Sequence, residues 1–419
     1  MTGERTEMAN PPMNGARSLS FPMPRSCPMR QPDQYAELRA GKPLTKIALP
    51  SGRTAWLVTR YEHVRRFLAN PDISTNRRHP NFPFVLPFNR KLVEDINASL
   101  MSLDPPEHTA QRRMVIREFT VRRAHELRPR IQKIVDEHIT TMLAGDRPAD
   151  LVQALSLPVT SLVICELLGV PYRDRQLFQS ASKVMASRHS TPDQRYEADG
   201  MLRGYLTDLV ATKEKEADET GAAPGDHLIG RVIAKNQEER VLRQEDIAAM
   251  CLSLLLAGHE TTANVISLGT VLLLENPEQL AVIRADPART PGAVAEILRH
   301  TSIIDPSALR VALADIEVGD MVVRKGDAVV LSSAAANWDD SVFAQPEKLD
   351  FDRDARHHLA FGYGIHRCIG ENLARVELEI VFNTLFGRVP GLRLAAPVEE
   401  LPFKDGALIY GIHTLPVTW

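Results

Sequence analysis

Residues 357–377 read HHLAFGYGIHRCIGENLARVE, and three features meet there. Gly362 and Gly364 permit backbone conformations and close approaches that a side chain would block. Cys368 follows, and directly after it a run of apolar residues at helical spacing begins. A thiol at a helix start faces unsatisfied backbone N–H groups and the positive end of the helix dipole, both of which favour the thiolate. Small residues beside such a sulfur would let a flat cofactor approach the backbone closely. Two other chemistries fail on spacing. A dinucleotide-binding GxGxxG beginning at Gly362 would need a glycine where Arg367 stands. A covalent CxxCH attachment site would need a second cysteine nearby. Taken alone, Cys368 would be a small core hydrophobe; its glycine- and histidine-bearing surroundings set it apart.

A second constellation, Ala257-Gly258-His259-Glu260-Thr261-Thr262, interrupts an apolar stretch from Ile247 to Leu274. A charge inside such a helix is costly without a partner or water, and a mid-helix threonine bonds back to the i−4 carbonyl and bends the helix. A zinc-protease HExxH fails because Ala263 occupies the second histidine position. A third pair, Glu296 and Arg299, stands at i, i+3 and shares a helix face. On the surface such a pair contributes little.

Several elements must position these groups. Helical spacing covers 107–145, 151–170 (ending at Gly169 and Pro171), 245–300, and the segment from Cys368 to about Phe386. Short strands are expected at Thr54–Thr59 and within 308–333, and a hairpin at the C-terminal end. Prolines 22, 24, 28, 32 and 43 argue against long helices in 21–50, and 218–226 reads as a loop. The expectation is a mainly α fold: a flexible polar tail over 1–20, then a single large helical domain with small β-sheets over 21–419. Length alone, at 419 residues, suggests two or three domains.

Composition narrows the class. There are 50 Lys+Arg against 53 Asp+Glu, a net charge of −3, which argues against wholesale binding of nucleic acid or an anionic membrane. Hydrophobic residues at 44% and charged ones at 25% exclude bulk disorder. Four separated cysteines (27, 165, 251 and 368) neither make a disulfide framework nor form CxxC zinc ligands. The N-terminus lacks an apolar signal-peptide region, and neither side of the His259-Glu260 break reaches the roughly 18 residues a membrane span needs. A cytoplasmic, monomeric protein with no membrane partner is expected. Arg112, Arg113, Arg117, Arg122, Arg123, Arg128 and Arg130 face only Glu118 and Glu126 along the same stretch. This run reads equally as a solvated face or as a basic dock for an acidic electron carrier.

FGYGIHRCIG (361–370) resembles the haem-binding signature of cytochromes P-450, the haem-thiolate monooxygenases. AWLVTRYEHVRRFL, DPPEHTAQRRMVIREFTVRR, LAGHETT and the closing LPVTW resemble its soluble actinomycete members, which oxidise macrolides and other polyketides, steroid-like molecules and xenobiotics. The resemblance implies haem b with Cys368 as axial iron ligand, in a loop formed by Phe361, Gly362 and Gly370. It implies His108, Arg112, Arg310 and His366 as propionate contacts. It makes Glu260 a proton relay and Thr261 the hydroxyl of the oxygen-activation groove, with Thr262 a weaker rival. Ala257 and Gly258 would leave room for O2 and substrate. Glu296 and Arg299 would form a buried lock beneath the haem; the family usually supplies a further arginine from a Pro-Glu-Arg-Phe-like segment, and at the matching place this chain has Pro346-Glu347-Lys348-Leu349, with a lysine that lacks the bidentate fork.

The same resemblance makes Phe82, Phe84 and Phe88 either a satellite core or a lid on the pocket, with Ile303, Ile304, Ala308, Leu408 and Ile409 as further lining. It implies a bulky hydrophobic substrate, a macrolide or other polyketide, O2, and electrons from separate ferredoxin and ferredoxin reductase proteins, since no flavin or nicotinamide module follows Trp419. A peroxide-driven enzyme is the rival within chemistry; Glu260-Thr261 counts against it. A haem-bound sensor is the rival outside it.

Overall fold

A computed structural model describes residues 19–85, 93, 99–187, 189–220, 225–306, 308–405 and 407–419. Its organising element is the helix Gln244–Glu275, whose side chains are buried over Ile247–Leu255 and again over Thr262–Leu273. A helix apolar on every face belongs in a core, and this one is surrounded. It packs against helices Leu157–Leu168, Pro192–Thr220, Glu371–Arg388 and Thr290–Thr301. Among the described residues no helix is long and apolar enough to cross a membrane.

The flanking helices stop where the chain's chemistry stops them. Leu157–Leu168 follows one π-type turn, Val152–Ser156, and ends on Gly169 in the left-handed region at φ 84°. A Cβ on Gly169 would lie 2.3 Å from the His227 ring, so glycine is required there twice over. Pro192–Thr220 continues through Asp218 and Glu219, where a loop was expected. Lys215 and Glu219 pair across one turn of that stretch, Nζ 3.6 Å from Oε1; residues 221–224 of the expected loop lie outside the described residues.

A six-stranded sheet runs in the order Leu19–Ser20, Leu44–Ala48, Thr54–Val58, Ala328–Leu331, Ala308–Ala312, Ile73–Ser74. Trp56 pairs in parallel with Val329, and Arg310 antiparallel with the same residue. The sheet packs its own core on helix Tyr61–Leu68 through Val58, Val64, Phe67, Ala308 and Leu331. The strand Pro416–Thr418 pairs with Arg393–Leu394 and Ala149–Asp150, and the expected terminal hairpin reduces to a single bridge, Phe403 with Ile412. The architecture is therefore mainly α with small β-sheets. Of the expected N-terminal tail, residues 1–18 lie outside the described residues, while Leu19 and Ser20 form the edge strand.

Candidate active site

The cysteine loop is built by backbone bonds and held by charges. Leu359 N–H donates to Asn337 Oδ1 at 2.7 Å, Gly362 N–H to Leu359 O at 2.9 Å and Cys368 N–H to Phe361 O at 2.8 Å. Gly362 and Gly364 take φ values of 70° and 73°. A Cβ on Gly364 would sit 2.4 Å from the Leu68 carbonyl oxygen, so this glycine lets the loop close onto helix Tyr61–Leu68. Arg367 grips Glu371 through two bonds of 2.6 and 2.8 Å, and Arg375 reaches the same carboxylate at 3.0 Å.

None of the residues from Ala360 to Gly370 is buried, and Cys368 is exposed. Yet burial pushes its thiol up to about 11, against the Gly370 N–H bond and the Arg112 and Arg367 charges that favour the thiolate. Open surface combined with dense surroundings marks an internal cleft. The depressed thiol expected from the helix start is not what the free side chain has: desolvation outweighs the dipole. A metal bound at the sulfur would reverse that balance, because a coordinated thiol loses its proton.

On the central helix, Leu256, Ala257, Gly258, Glu260 and Thr261 keep some accessible surface between two buried stretches, with Ala257 exposed and His259 buried. Thr261 Oγ1 donates to Ala257 O at 2.6 Å, so both lie on one face. Glu260 is largely buried, and its Oε1 lies 2.8 Å from Lys404 Nζ. Lys404 was not found from sequence, since 144 residues separate the two. His259 turns away to Ser161, 2.7 Å from its Oγ, and burial lowers it to about 4. Thr262 is buried. Gly258 differs from expectation: a Cβ there would lie 2.8 Å from Ile164 Cδ1. The space it leaves is taken by the neighbouring helix, not by a cleft.

The four cationic positions come together. The rings of His108 and His366 are 4.2 Å apart. Burial first, and then the charges of Arg310, His108 and Arg112, hold His366 down at about 3. Arg310 donates to Thr75 Oγ1 at 3.2 Å and Leu309 O at 2.9 Å, and burial lowers it to about 10. Arg112 donates to Arg367 O at 2.8 Å. Among the described residues no carboxylate bonds to any of the four, and buried His108 Nε2 has no partner. Two guanidiniums beside two imidazoles held neutral, with an orphaned nitrogen and no carboxylate among the described residues, suit a doubly anionic ligand.

Beneath the loop, Glu296 and Arg299 are fully buried and meet through bonds of 2.7 and 2.8 Å. The third cation is Arg353, with Nε 3.1 Å from Glu296 Oε1. Lys348 therefore displaces nothing: it contributes its carbonyl, 3.4 Å from both arginines.

The expected pocket residues separate into two groups. Ile304 and Ile409 are bridged, and with Leu408 remain half-buried. Ile303 lies in the main core and Ala308 in the sheet core. Phe82 is buried with its ring 4.8 Å from that of Phe84; Phe88 lies outside the described residues.

The arginine run finds acids that the linear sequence hides. Arg113 pairs with Glu239, Arg122 and Arg123 with Glu126, Arg128 with Glu379 and Arg130 with Glu166. Among the described residues Arg117 alone of the run makes neither an ion pair nor a side-chain hydrogen bond.

Comparison with known proteins adds the following. The family model for cytochrome P-450 matches residues 42–388. A pentalenic acid synthase from Streptomyces avermitilis is 44% identical over 412 residues, covering 98% of this chain and 100% of its own. Cytochrome P-450 MoxA from Nonomuraea recticatena, a crystal structure, is 48% identical with a TM-score of 0.86, covering 96% of this chain and 98% of its own. A mycinamicin VIII methyl hydroxylase from Micromonospora griseorubida, solved with mycinamicin VIII bound, is 39% identical with a TM-score of 0.89, covering 96% of this chain and 100% of its own.

Proposed function

The chain belongs to the cytochrome P-450 family and is a haem-dependent monooxygenase, and on that premise we propose that it oxidises a bulky hydrophobic natural product, a macrolide or other polyketide, with electrons from a ferredoxin. The observation that carries the substrate class is the partly accessible face at Leu256, Ala257 and Thr261, apolar at Leu256 and Ala257, between the buried stretches Ile247–Leu255 and Thr262–Leu273 of the central helix. Pockets for such ligands are mainly apolar with a few placed polar groups. The relative solved with mycinamicin VIII supports a ligand of that bulk.

Within this reading the residues divide the work. Cys368 holds the iron, and Phe361, Gly362 and Gly370 shape the loop around it. His108, Arg112, Arg310 and His366 neutralise the propionates. When bound, the haem supplies the oxygen-activating chemistry, and a thiolate ligand favours O–O cleavage. Glu260 passes protons inward and Thr261 receives them on its hydroxyl, which must turn from Ala257 O toward the cleft. Ferredoxin and its reductase are separate proteins, and the enzyme acts in the cytoplasm as a monomer.

Titrating the ferric enzyme with a library of macrolides, other polyketides and steroids tests the substrate class. Macrolides or polyketides should shift the Soret band toward the high-spin form at micromolar concentrations. A response confined to small polar compounds overturns it. With a responding compound and a ferredoxin–reductase pair, Thr261→Ala should release more peroxide per electron consumed; unchanged coupling removes Thr261 from the proton path.

A further inference from the structure

Lys404 is 8% exposed, and its ammonium makes two bonds to one helix. Nζ donates to Glu260 Oε1 at 2.8 Å and to Asn264 Oδ1 at 2.9 Å, one turn apart on the central helix. The backbone repeats the attachment. Lys404 N–H donates to Gly411 O at 2.9 Å, and a Cβ on Gly411 would lie 2.2 Å from Asn264 Oδ1. Only glycine lets this segment lie so close. The turn between the two arms carries Leu408 and Ile409; its outer end bridges Ile409 to Ile304 and Ala407 to Ser187. A buried ammonium needs a counter-charge, and a buried carboxylate needs the same; here each is the other's partner.

We propose that Lys404 is the positioning residue of the proton relay: it holds the Glu260 carboxylate beside Thr261 and ties that carboxylate to the turn bearing Leu408 and Ile409. This rests on the reading of Glu260 as the relay acid. The groups facing Glu260 are Lys404 from the turn, His259 from its own helix, and His413 from the arm beyond the turn, with Lys183 acting on His413. Lys404 is the one among them bonded to it. Removing the ammonium leaves a largely buried carboxylate without its counter-charge, which favours the protonated acid. A protonated Glu260 cannot accept the next proton.

The test uses the holoenzyme with its ferredoxin chain and the library compound giving the largest spin-state shift. Lys404→Met should lose roughly tenfold in product-forming rate near neutral pH, less than the about 10²–10⁴-fold that a positioned proton-transfer group itself supplies, because Glu260 remains in place. The ratio of variant to wild-type coupling should rise as the pH is raised. Lys404→Arg should restore both. Independently of turnover, infrared difference spectra of Lys404→Met should gain a protonated-carboxyl band as the pH falls, and Lys404→Met/Glu260→Gln should lack it. Should Lys404→Met not fold, Lys404→Gln carries the same comparison. Wild-type pH dependence together with a wild-type infrared spectrum overturns the proposal. Full coupling in Glu260→Gln overturns instead the relay reading beneath it, so the two failures are distinguishable.

Discussion

Arg353 reaches back 57 residues to Glu296, placing Nε 3.1 Å from a carboxylate that Arg299 already holds by two bonds. All three side chains are buried or nearly so, which makes their removal costly. Arg299→Met should lower the unfolding free energy by about 3–5 kcal/mol, the usual loss when one member of a buried pair is removed. Arg353→Lys, which keeps the charge but loses the fork, should cost about 1–2 kcal/mol. Lys348→Met should stay within about 0.5 kcal/mol, as surface substitutions do. Denaturant unfolding of the holoenzyme measures all three; an equal loss at Lys348 and Arg353 contradicts the assignment.

That triad also shows how far the sequence reaches. Glu296 and Arg299 were legible because i, i+3 spacing on a helix is a local fact. Arg353 was not, because only the loop 344–353 folding under the helix brings it near. Cys368 and its loop were legible from glycine placement and the following helix. Lys404 was hidden by its distance along the chain from Glu260. Gly258 was misread because a glycine's space has an owner only once the neighbouring helix is in place, and that owner is Ile164. The arginine run looked more basic than it is, since Glu166, Glu239 and Glu379 arrive from other elements.

Buried histidines give the protein an acid limit. Burial holds His259 at about 4 and His300 at about 3, below the ordinary 6.5. In the unfolded chain both protonate as the pH falls through 6.5, while the folded state keeps them neutral. Their stability contribution is therefore full above 6.5 and is lost as the pH falls toward 4. For His259 the loss is on the order of 3 kcal/mol. Unfolding measured between pH 7 and 5 should show a shallower decline for His259→Gln than for wild type; parallel declines contradict it.

Gly364 and Gly387 offer a controlled contrast. An added Cβ at Gly364 meets the Leu68 carbonyl at 2.4 Å from a backbone at φ 73°, whereas nothing lies within 4 Å at Gly387. Gly364→Ala should cost at least about 1–3 kcal/mol and weaken haem retention. Gly387→Ala, inside helix Glu371–Arg388, should be neutral or stabilising by up to about 1 kcal/mol. Thermal unfolding and haem loss to a scavenger globin decide it, and equal behaviour of the two variants contradicts the loop's packing.

Among the described residues Arg117 is the one cation of its run with neither an ion pair nor a side-chain hydrogen bond. Arg117→Glu should raise the ferredoxin concentration needed for half-maximal reduction, and rising salt should slow wild-type reduction by screening. Stopped-flow reduction across ionic strengths checks both. A salt-independent rate with an unaffected variant removes this face as the dock.

The central claim is that Cys368, and none of the other three cysteines, holds the iron. Burial pushes the thiols of Cys165 and Cys251 up to about 12 within the core, whereas Cys368 opens on the cleft. The decisive measurement is the spectrum of the reduced, CO-bound holoenzyme. The account predicts the red-shifted Soret band of thiolate-ligated haem in wild type and in the Cys27→Ala, Cys165→Ala and Cys251→Ala variants, and its loss in Cys368→Ala. Retention of that band in Cys368→Ala would contradict it.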